Sequence, residues 1–463
     1  MLVFGMAAVL RYGAMAPRLP LPISDTVEVE VDGDLVRLRR DLPLASALIE
    51  AGDPLMGRSV KYHRPRAAFC LQGSCGACLV RIDGQPNQRA CRTIVHEGMK
   101  VERQNVYPSA ALDLFSATDF FFPRGMDHHT LFVHAPKPVH AVMQKVARQL
   151  AGLGRLPDPR AVEIPPARTR HTALLVVGGG PAGLAAATAA ASGGLRVLLV
   201  DEQAQLGGSL LADPLDGPAR AAALVAAASA AGVELRSSTV ALAFYAEERA
   251  LPDAPLGLVA LSTQHGLELV SADRHLYATG SYDQNALFVG NDLPGIYSAR
   301  AIGRLLVRDR VVPGKRAVVL GGGPYAHALT DLLRQRGIET TLVDGVDEAL
   351  VSAEGHQRLK GVRVISGGKT RTIKCDLLAV AALPAPATEL VREHGAKVAW
   401  ASAVGGFHAV TDAHGRTTAS DVWACGDVAG FVGTEAARES GARVGAAIIG
   451  SAVIGSAVGG PRS

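Results

Sequence analysis

Four of the six cysteines in this 463-residue chain are gathered in one short segment. Their spacing is Cys70-x4-Cys75-x2-Cys78, followed by twelve residues and then Cys91. A [2Fe–2S] cluster needs four thiolates, and a loop that supplies three with a fourth from a nearby strand matches the Cys-x4-Cys-x2-Cys…Cys arrangement. The sequence therefore predicts that Cys70, Cys75, Cys78 and Cys91 are the metal ligands of a [2Fe–2S] cluster.

The residues around these cysteines leave an alternative open. Gly73 and Gly76 lie between the ligands, where backbone N–H groups must turn toward the cluster without obstruction by side chains. Four thiolates also suit structural zinc, but zinc motifs usually contain two Cys-x2-Cys pairs, and this segment has only one. The basic segment Lys61–Arg66 could raise the potential of a negative cluster, although charge alone favours a solvated loop.

A second chemical motif is a glycine fingerprint that follows an apolar strand. Leu174–Val177 runs into GGGPAG and an alanine-rich helix, which is the context that gives G-x-G-x-x-G its meaning. The first glycine makes the turn, the second admits a pyrophosphate, and the third lets helix and strand pack closely. The diphosphate then rests on the positive helix N-terminus. The predicted contacts are Gly178, Gly180, Pro181, Ala182 and Gly183.

Further pieces in the expected order favour FAD as the dinucleotide. The next strand ends in two carboxylates that can accept hydrogen bonds from ribose hydroxyls, Asp201 being the first choice and Glu202 the second. Two later strands end in ATG and ACGD. In flavoproteins with two dinucleotide domains, an aspartate such as Asp427 meets the ribityl–phosphate region. The remaining predicted FAD contacts are Gly207, Gly208, Ala278, Thr279, Gly280 and Gly426.

A second fingerprint, GGGPYA, follows another apolar strand. Its alanine replaces the third glycine, which the motif permits. An aspartate lies at the same offset after it as Asp201 after the first, which suits an unphosphorylated ribose: NAD, ATP or another adenosine nucleotide, and not NADP. A relic that binds nothing is the alternative, and the return segment Ala381–Pro386 lacks the usual glycine-bearing turn. The predicted contacts are Gly321, Gly323, Ala326 and Asp344.

The elements that must position these motifs differ along the chain. A hairpin pattern, TVEVEV to LVRLRR, and a short helix at Leu44–Ala51 precede the cysteines. From Arg170 strands and helices alternate, with an alanine-rich helix over 218–232. The fold class is therefore α/β: a two-dinucleotide-binding-domain flavoprotein with doubly wound parallel sheets and an N-terminal β-grasp ferredoxin-like [2Fe–2S] domain. The predicted parts are a disordered leader (1–24), the [2Fe–2S] domain (25–105), a connector (106–167), the FAD-binding domain (168–300 plus 395–463) and the second nucleotide-binding domain (301–394).

Composition and charge exclude several classes of function. The net charge is only +4, without a basic stripe interleaved with aromatics, so nucleic-acid binding is not expected. The N-terminal apolar run is interrupted by Arg11, unlike a secretory signal, and the small residues of 444–460 do not resemble a transmembrane segment. Few, clustered cysteines indicate a reducing compartment, and a cytoplasmic location is predicted. His128–His129 is interpreted as a solvated or locally packed pair.

The sequence resembles the α-type subunits of the heteromeric sarcosine oxidase family, which includes proline, hydroxyproline and opine dehydrogenases and hydrogen cyanide synthase. The matching strings are GRSVKYHRPRAAFCLQGSCGACLVRIDGQPNQRAC, FFFPRGMDHH, LLVVGGGPAGLAAA, VDEQAQLGGSL, NDLPGIYSARA and VWACGDVAG. The resemblance implies that a separate flavin-dependent β-type subunit oxidises the amine, sometimes with further small subunits. It implies that this chain supplies FAD or nucleotide sites and an iron–sulfur relay. The cluster cysteines indicate the dehydrogenase branch.

These observations leave different functions open. The leading hypothesis is an electron-transfer subunit of a secondary-amine or imino-acid dehydrogenase, which relays electrons from the partner's flavin to an acceptor. The alternative is a self-contained NADH-dependent FAD/[2Fe–2S] reductase, and in a third both cofactors serve only assembly and stability. No catalytic residue is assigned, because the amine would be oxidised on the partner. A disulfide reductase is not expected, since Cys375 and Cys425 are interpreted as core cysteines.

Overall fold

A computed structural model of the chain describes residues 26–60, 62–110, 112–117, 120, 135–150, 165–345 and 348–458. The leader predicted for 1–24, the basic residue Lys61 and the pair His128–His129 lie outside these ranges.

The cysteine region folds as a five-stranded mixed sheet, a separate two-stranded antiparallel sheet and one helix. Its elements are β1 Thr26–Val31, β2 Asp34–Arg39, α1 Leu44–Glu50, β3 Leu55–Arg58, β4 Pro65–Ala67, β5 Leu79–Ile82, β6 Gln85–Arg89 and β7 Lys100–Arg103. Alternation in β1 buries Val27, Val29 and Val31 while their neighbours are more exposed, as a half-buried strand requires. The strand order is β2-β1-β7-β5-β6, with β1 antiparallel to β2 and parallel to β7. The predicted hairpin and helix are confirmed.

The connector is attached to the loop between β3 and β4 through a buried histidine–aspartate contact. His63 Nδ1 lies 2.7 Å from Asp113 Oδ2, and both residues are at least 95% buried. Arg58 donates to the carbonyl oxygen of His63 at 2.7 Å. The interpretation of this basic segment as a solvated loop is therefore wrong for His63. The described connector elements are a 3₁₀ turn at Leu114–Ser116 and α2 at Lys137–Leu150.

The first glycine fingerprint lies at the carboxyl end of the central strand of a second sheet. Its elements are β8 Arg168–Val177, α3 Pro181–Ser192, β9 Val197–Val200, a 3₁₀ turn at Gly208–Ala212, α4 Gly217–Ala230, β10 Glu234–Arg236, β11 Val240–Tyr245, β12 Leu258–Thr263 and β13 Gly266–Tyr277. The order is β10-β9-β8-β13-β12-β11, and its first four strands are parallel. The end of β8, Leu174–Val177, is an apolar run buried on both faces.

The second fingerprint lies on a separate four-stranded parallel sheet of order β15-β21-β16-β17, which carries the antiparallel sheet β18-β19-β20. The elements of this region are β14 Ser281–Tyr282, β15 Ile296–Ser298, α5 Ala299–Gly303, a π-helical turn at Arg304–Arg308, β16 Arg316–Leu320, α6 Pro324–Gln335, β17 Glu339–Val343, β18 Ala349–Gly355, β19 Leu359–Ser366, β20 Lys369–Lys374, β21 Leu377–Val380 and β22 Ala385–Pro386. Strands β14 and β22 pair with each other.

The chain then returns to the first nucleotide-binding sheet. Its last elements are α7 Glu389–Glu393, β23 Val398–Ala401, a 3₁₀ turn at Ser402–Val404, β24 Gly406–Ala409, β25 Val422–Ala424, a 3₁₀ turn at Gly426–Ala429 and α8 Thr434–Val458. Strand β25 pairs in parallel with β13. A Cβ at Gly441 would lie 2.0 Å from the carbonyl oxygen of Ala182, so α8 packs closely on α3. Within the described ranges, no helix is long and apolar enough to cross a membrane.

One hydrophobic core joins the cysteine region to the second nucleotide-binding region. Leu44 and Leu48 of α1 belong to the same cluster of buried residues as Ile302, Leu305 and Leu306. The cysteine region is therefore packed on the segment 299–311 of the second nucleotide-binding region.

Candidate functional site

The four cysteines lie together and interact as two pairs, Cys70 with Cys75 and Cys78 with Cys91. The hydrogen bond from the Cys75 thiol lowers the pKa of Cys70 to about 5, and the Cys91 thiol lowers the pKa of Cys78 in the same way. Among the described residues, no group of three or more His, Cys, Asp or Glu side chains is placed to hold a single metal ion. Two pairs of thiolates fit two irons with two cysteines each.

The backbone of the cluster loop, residues 70–78, depends on its glycines. The amide nitrogens of Gln72 and Ala77 approach the sulfurs of Cys70 and Cys75 at 3.5 Å. Gly73 has a φ of +92°, and a Cβ there would lie 2.5 Å from the side chain of Arg92. A side chain at this position would therefore displace the turn that brings N–H groups to the sulfurs.

The first fingerprint combines close packing with one open position. A Cβ at Gly178 would lie 2.2 Å from the carbonyl oxygen of Ala278, and a Cβ at Gly183 would lie 1.9 Å from that of Gly178. At Gly180 the nearest atom to a Cβ would be the Cα of Gly208, 3.8 Å away. Gly180 lies just before the first residue of α3, and the open space beside it is part of a cavity. A diphosphate bound at the amino end of a helix needs such a space.

A single cavity of about 620 Å³ runs past this fingerprint. It is lined by Gln72–Ser74 of the cluster loop as well as by the nucleotide-binding sheet. Gly183, Gly207 and Gly426 are absent from the lining and serve close packing instead. The other residues predicted for FAD line it: Gly178, Gly180, Pro181, Ala182, Asp201, Glu202, Gly208, Ala278, Thr279, Gly280 and Asp427.

The two carboxylates after β9 have different partners. Asp201 accepts hydrogen bonds from the backbone N–H groups of Gly179 at 2.6 Å and Gln203 at 2.7 Å. Burial raises the pKa of Asp201 to about 6. The Glu202 side chain is 43% exposed and pairs at 2.8 Å with Arg92, the residue after Cys91. Asp201 therefore shapes the turn, while Glu202 presents an accessible carboxylate where the two regions meet.

The second fingerprint has the expected turn but occupies another place. Gly321 has a φ of +130°, and a Cβ at Gly323 would meet no atom within 4 Å. Ala326 is buried against the strand, and Asp344 directly follows β17. None of these four described residues lines the 620 Å³ cavity. The segment after β21, which lacks a glycine, pairs with β14 instead.

Sequence reasoning missed a group of buried charges beside the cavity. Arg300 and Arg304 line it, and both pair with Asp283, whose side chain is 3% exposed. Ser281 connects the group to Asp427, because its hydroxyl accepts from Arg300 at 3.1 Å and donates to Asp427 at 2.9 Å. Arg300 falls within the string NDLPGIYSARA, but a single sequence offers no reason to expect a partner for it.

Comparisons with known proteins agree with this geometry. The sequence profile of a 2Fe-2S iron-sulfur cluster binding domain matches residues 24–106. The profile of the pyridine nucleotide-disulphide oxidoreductases matches residues 172–360. The chain therefore has a [2Fe–2S] domain followed by a dinucleotide-binding flavoprotein fold, and its cofactors are a [2Fe–2S] cluster and FAD, as predicted.

Two relatives with curated names are similar to this chain. The alpha subunit of sarcosine oxidase from Rhizobium meliloti (strain 1021) is 33% identical over 85% of this chain, and an opine oxidase subunit from the same strain is 26% identical over 57%. The chain is a homologue of these α-type subunits. It spans 43% of the length of the sarcosine oxidase relative and 68% of that of the opine oxidase relative. The predicted resemblance to sarcosine and opine oxidase subunits is confirmed.

A solved structure supports the fold over almost the whole of this sarcosine oxidase α homologue. L-proline dehydrogenase from P. horikoshii superposes with a TM-score of 0.70 at 21% sequence identity. The match covers 92% of this chain and 74% of that one. At this identity the likeness concerns the fold, which agrees with the predicted class.

Proposed function

We propose that this chain is the electron-transfer subunit of a heteromeric secondary-amine or imino-acid dehydrogenase of the sarcosine, proline, hydroxyproline or opine type. The observation that carries the proposal is that the cluster loop and the first glycine fingerprint line one cavity. When bound, FAD and the [2Fe–2S] cluster supply two-electron and one-electron carriers beside each other. Both relatives are named as single subunits of oxidases, which supports a role within a complex.

Different residues of this chain would hold the two groups. We propose Cys70, Cys75, Cys78 and Cys91 as the cluster ligands, because they form two pairs of interacting thiols. The amino end of α3 would hold the diphosphate and Asp427 the ribityl–phosphate region, while Glu202 would bind the adenosine ribose. A nucleotide at the second site would contact Gly321, Gly323, Ala326 and Asp344.

The proposal requires a partner, a flavin-dependent β-type subunit that oxidises the amine. We place this chain in a reducing, cytoplasmic setting, because four of its six cysteines would serve as cluster ligands. The experiment is an anaerobic one on the purified full chain with FAD, iron and sulfide quantified. Sarcosine, L-proline and an opine are expected to leave the flavin absorbance of the isolated chain unchanged. When the chain is purified together with a β-type subunit, the substrate of that subunit is expected to bleach the flavin absorbance.

A variant without the cluster tests whether electrons leave the flavin through the cluster. Cys75→Ala removes one thiolate from the exposed edge of the loop and should abolish the iron–sulfur absorbance. Flavin bleaching by the partner should persist, while electron delivery to an external acceptor falls. Amine oxidation by the isolated chain would contradict the proposal.

The NADH-dependent reductase remains the second candidate because of the intact turn at Gly321 and Gly323. A ferredoxin–NAD(+) reductase component of a biphenyl dioxygenase system from Paraburkholderia xenovorans is 30% identical over 34% of the chain. This likeness is a second reason to test the reaction of the chain with NADH. Fast bleaching of the flavin by NADH alone would support the reductase. An unchanged spectrum would support the relay.

A further inference from the structure

Arg304 is a buried cation in direct contact with the cluster loop. It lies in the π-helical turn after α5, and its residue surface is 4% exposed. Its Nη1 donates to the carbonyl oxygen of Cys70 at 2.9 Å, and its Nη2 donates to the side-chain oxygen of Gln72. One planar guanidinium therefore fixes the first ligand of the cluster loop and the residue two positions further.

Other contacts hold the same segment from outside its own sheet. The backbone N–H of Ser298 donates to the carbonyl oxygen of Phe69 at 3.0 Å. Gln203 donates through its side chain to the carbonyl oxygen of Gln72 at 2.7 Å. Both donors belong to the nucleotide-binding regions, so the loop conformation depends on their packing against the cluster domain.

The charge around Arg304 is unbalanced. Its Nη1 lies 3.3 Å from Asp283 Oδ2, and Arg300 binds the other oxygen of the same carboxylate. Two guanidinium groups thus share one buried carboxylate, and the next one, Asp427, lies beyond the hydroxyl of Ser281. The group leaves a positive charge beside Cys70 in a place from which water is largely excluded.

This charge acts on the cluster in a definite direction. A four-thiolate [2Fe–2S] cluster is negative, and each electron that enters adds one more negative charge. A nearby cation stabilises the reduced form more than the oxidised form, and the attraction is stronger in a buried site than in water. A charge-free contact between the regions would hold the loop equally well but would lack this charge–charge effect on the cluster's potential.

We propose that Arg304 is a positioning residue for the [2Fe–2S] cluster, one that holds the loop at Cys70 and Gln72 and raises the cluster's reduction potential. The inference deepens the proposed function, on which it rests, because a relay needs a cluster that accepts electrons from the flavin. Asp283 is its counter-charge and limits the effect.

The test is a redox titration of the purified full chain with bound FAD and cluster, using dithionite and mediators and following the cluster by electron paramagnetic resonance. For Arg304→Gln, the ratio of reduced to oxidised cluster at fixed potential should fall about tenfold. Arg304→Lys keeps the charge and should restore the ratio to within about threefold, with a changed line shape because the fork is lost. Arg334→Gln is the control, because Arg334 in α6 is 55% exposed and pairs with the exposed Asp331. It should leave the ratio within about twofold of the native value.

A loaded Arg304→Gln variant with the native potential would overturn the proposal. If this variant does not retain its cluster, Asp283→Asn decides: removing the counter-charge should raise the ratio about tenfold, and an unchanged or lower ratio would refute the idea. These results are separate from the proposed function. A partner that fails to reduce the flavin leaves the titration unaffected, and an unresponsive potential leaves the relay standing.

Discussion

At the scale of single residues, Asp201 and Glu202 are neighbours with different tasks. Asp201→Asn keeps one carboxamide oxygen where two carboxylate oxygens accept from Gly179 and Gln203, so one backbone N–H loses its acceptor. We expect the free energy of unfolding of the apo chain to fall by about 1–3 kcal/mol. Glu202→Gln weakens an exposed pair and should cost less than about 1 kcal/mol.

FAD binding should separate the same two variants. If Glu202 holds the ribose, Glu202→Gln should weaken FAD binding about tenfold, the equivalent of about 1.4 kcal/mol. Denaturant unfolding and fluorescence titration with FAD measure the two effects. A destabilised Glu202→Gln variant with native FAD affinity would contradict the assignment.

Two glycines of the first fingerprint also differ at this scale. Gly180 has a φ of −79°, which any residue adopts, and a Cβ there meets open space. Gly180→Ala should therefore keep the thermal stability of the apo chain while FAD affinity falls about tenfold or more. Gly183→Ala forces a methyl against the carbonyl oxygen of Gly178 and should destabilise the fold by about 1–3 kcal/mol. Equal loss of stability in both variants would show that Gly180 is also a packing position.

At the scale of elements, α7 is attached to β13 by the buried His275 and the half-buried His394. The ring of His394, just after α7, stacks on Phe244 at 3.5 Å and contacts the Tyr277 hydroxyl at 2.9 Å. Burial lowers the pKa of His275 to about 3 and that of His394 to about 4. Both pKa values are depressed from about 6.5, so protonation favours the unfolded chain. Stability is complete above about pH 6.5 and is lost as the pH falls toward 4.

The predicted consequence concerns His275, whose Nε2 has no hydrogen-bond partner among the described residues. His275→Leu removes the titrating group without leaving a polar atom unpaired, so stability at pH 7.5 should change by less than about 1 kcal/mol. At pH 5 the variant should have lost about 2 kcal/mol less than the native chain. Denaturant titrations at the two pH values measure this difference, and parallel losses would refute the assignment.

The elements also show what a sequence can and cannot predict. The hairpin of β1 and β2, the helix α1 and the alanine-rich α4 were predictable, because each depends on local periodicity and turn residues. The contact of Arg304 with Cys70 was not, because it joins residues 234 apart. His63 was misinterpreted for the same reason: its partner Asp113 lies 50 residues away, and charge alone suggested solvent.

At the scale of the whole molecule, the cluster domain is joined to the rest of the chain by a shared core and by Asp309. The Asp309 side chain is 3% exposed and accepts hydrogen bonds from Ser46 of α1 at 2.7 Å and from Arg308 at 2.6 Å. Its carbonyl oxygen accepts from Arg39 of β2 at 3.2 Å. Because this residue connects the regions, cluster absorbance and bound flavin should disappear in one coincident transition when the native chain is unfolded.

Removing this carboxylate should separate the two signals. Asp309→Ala leaves Ser46 and a largely buried Arg308 without their acceptor and should cost about 3 kcal/mol. Because the loss falls on the boundary between the regions, the cluster should bleach at lower denaturant than the flavin is released. Asp331→Ala, which removes an exposed partner of Arg334, is the control and should change stability by less than about 1 kcal/mol. Separate unfolding transitions of cluster and flavin in the native chain would mean that the shared core does not couple the regions. A coincident transition in Asp309→Ala would mean that the apolar contacts of Leu44 and Leu305, and not Asp309, couple them.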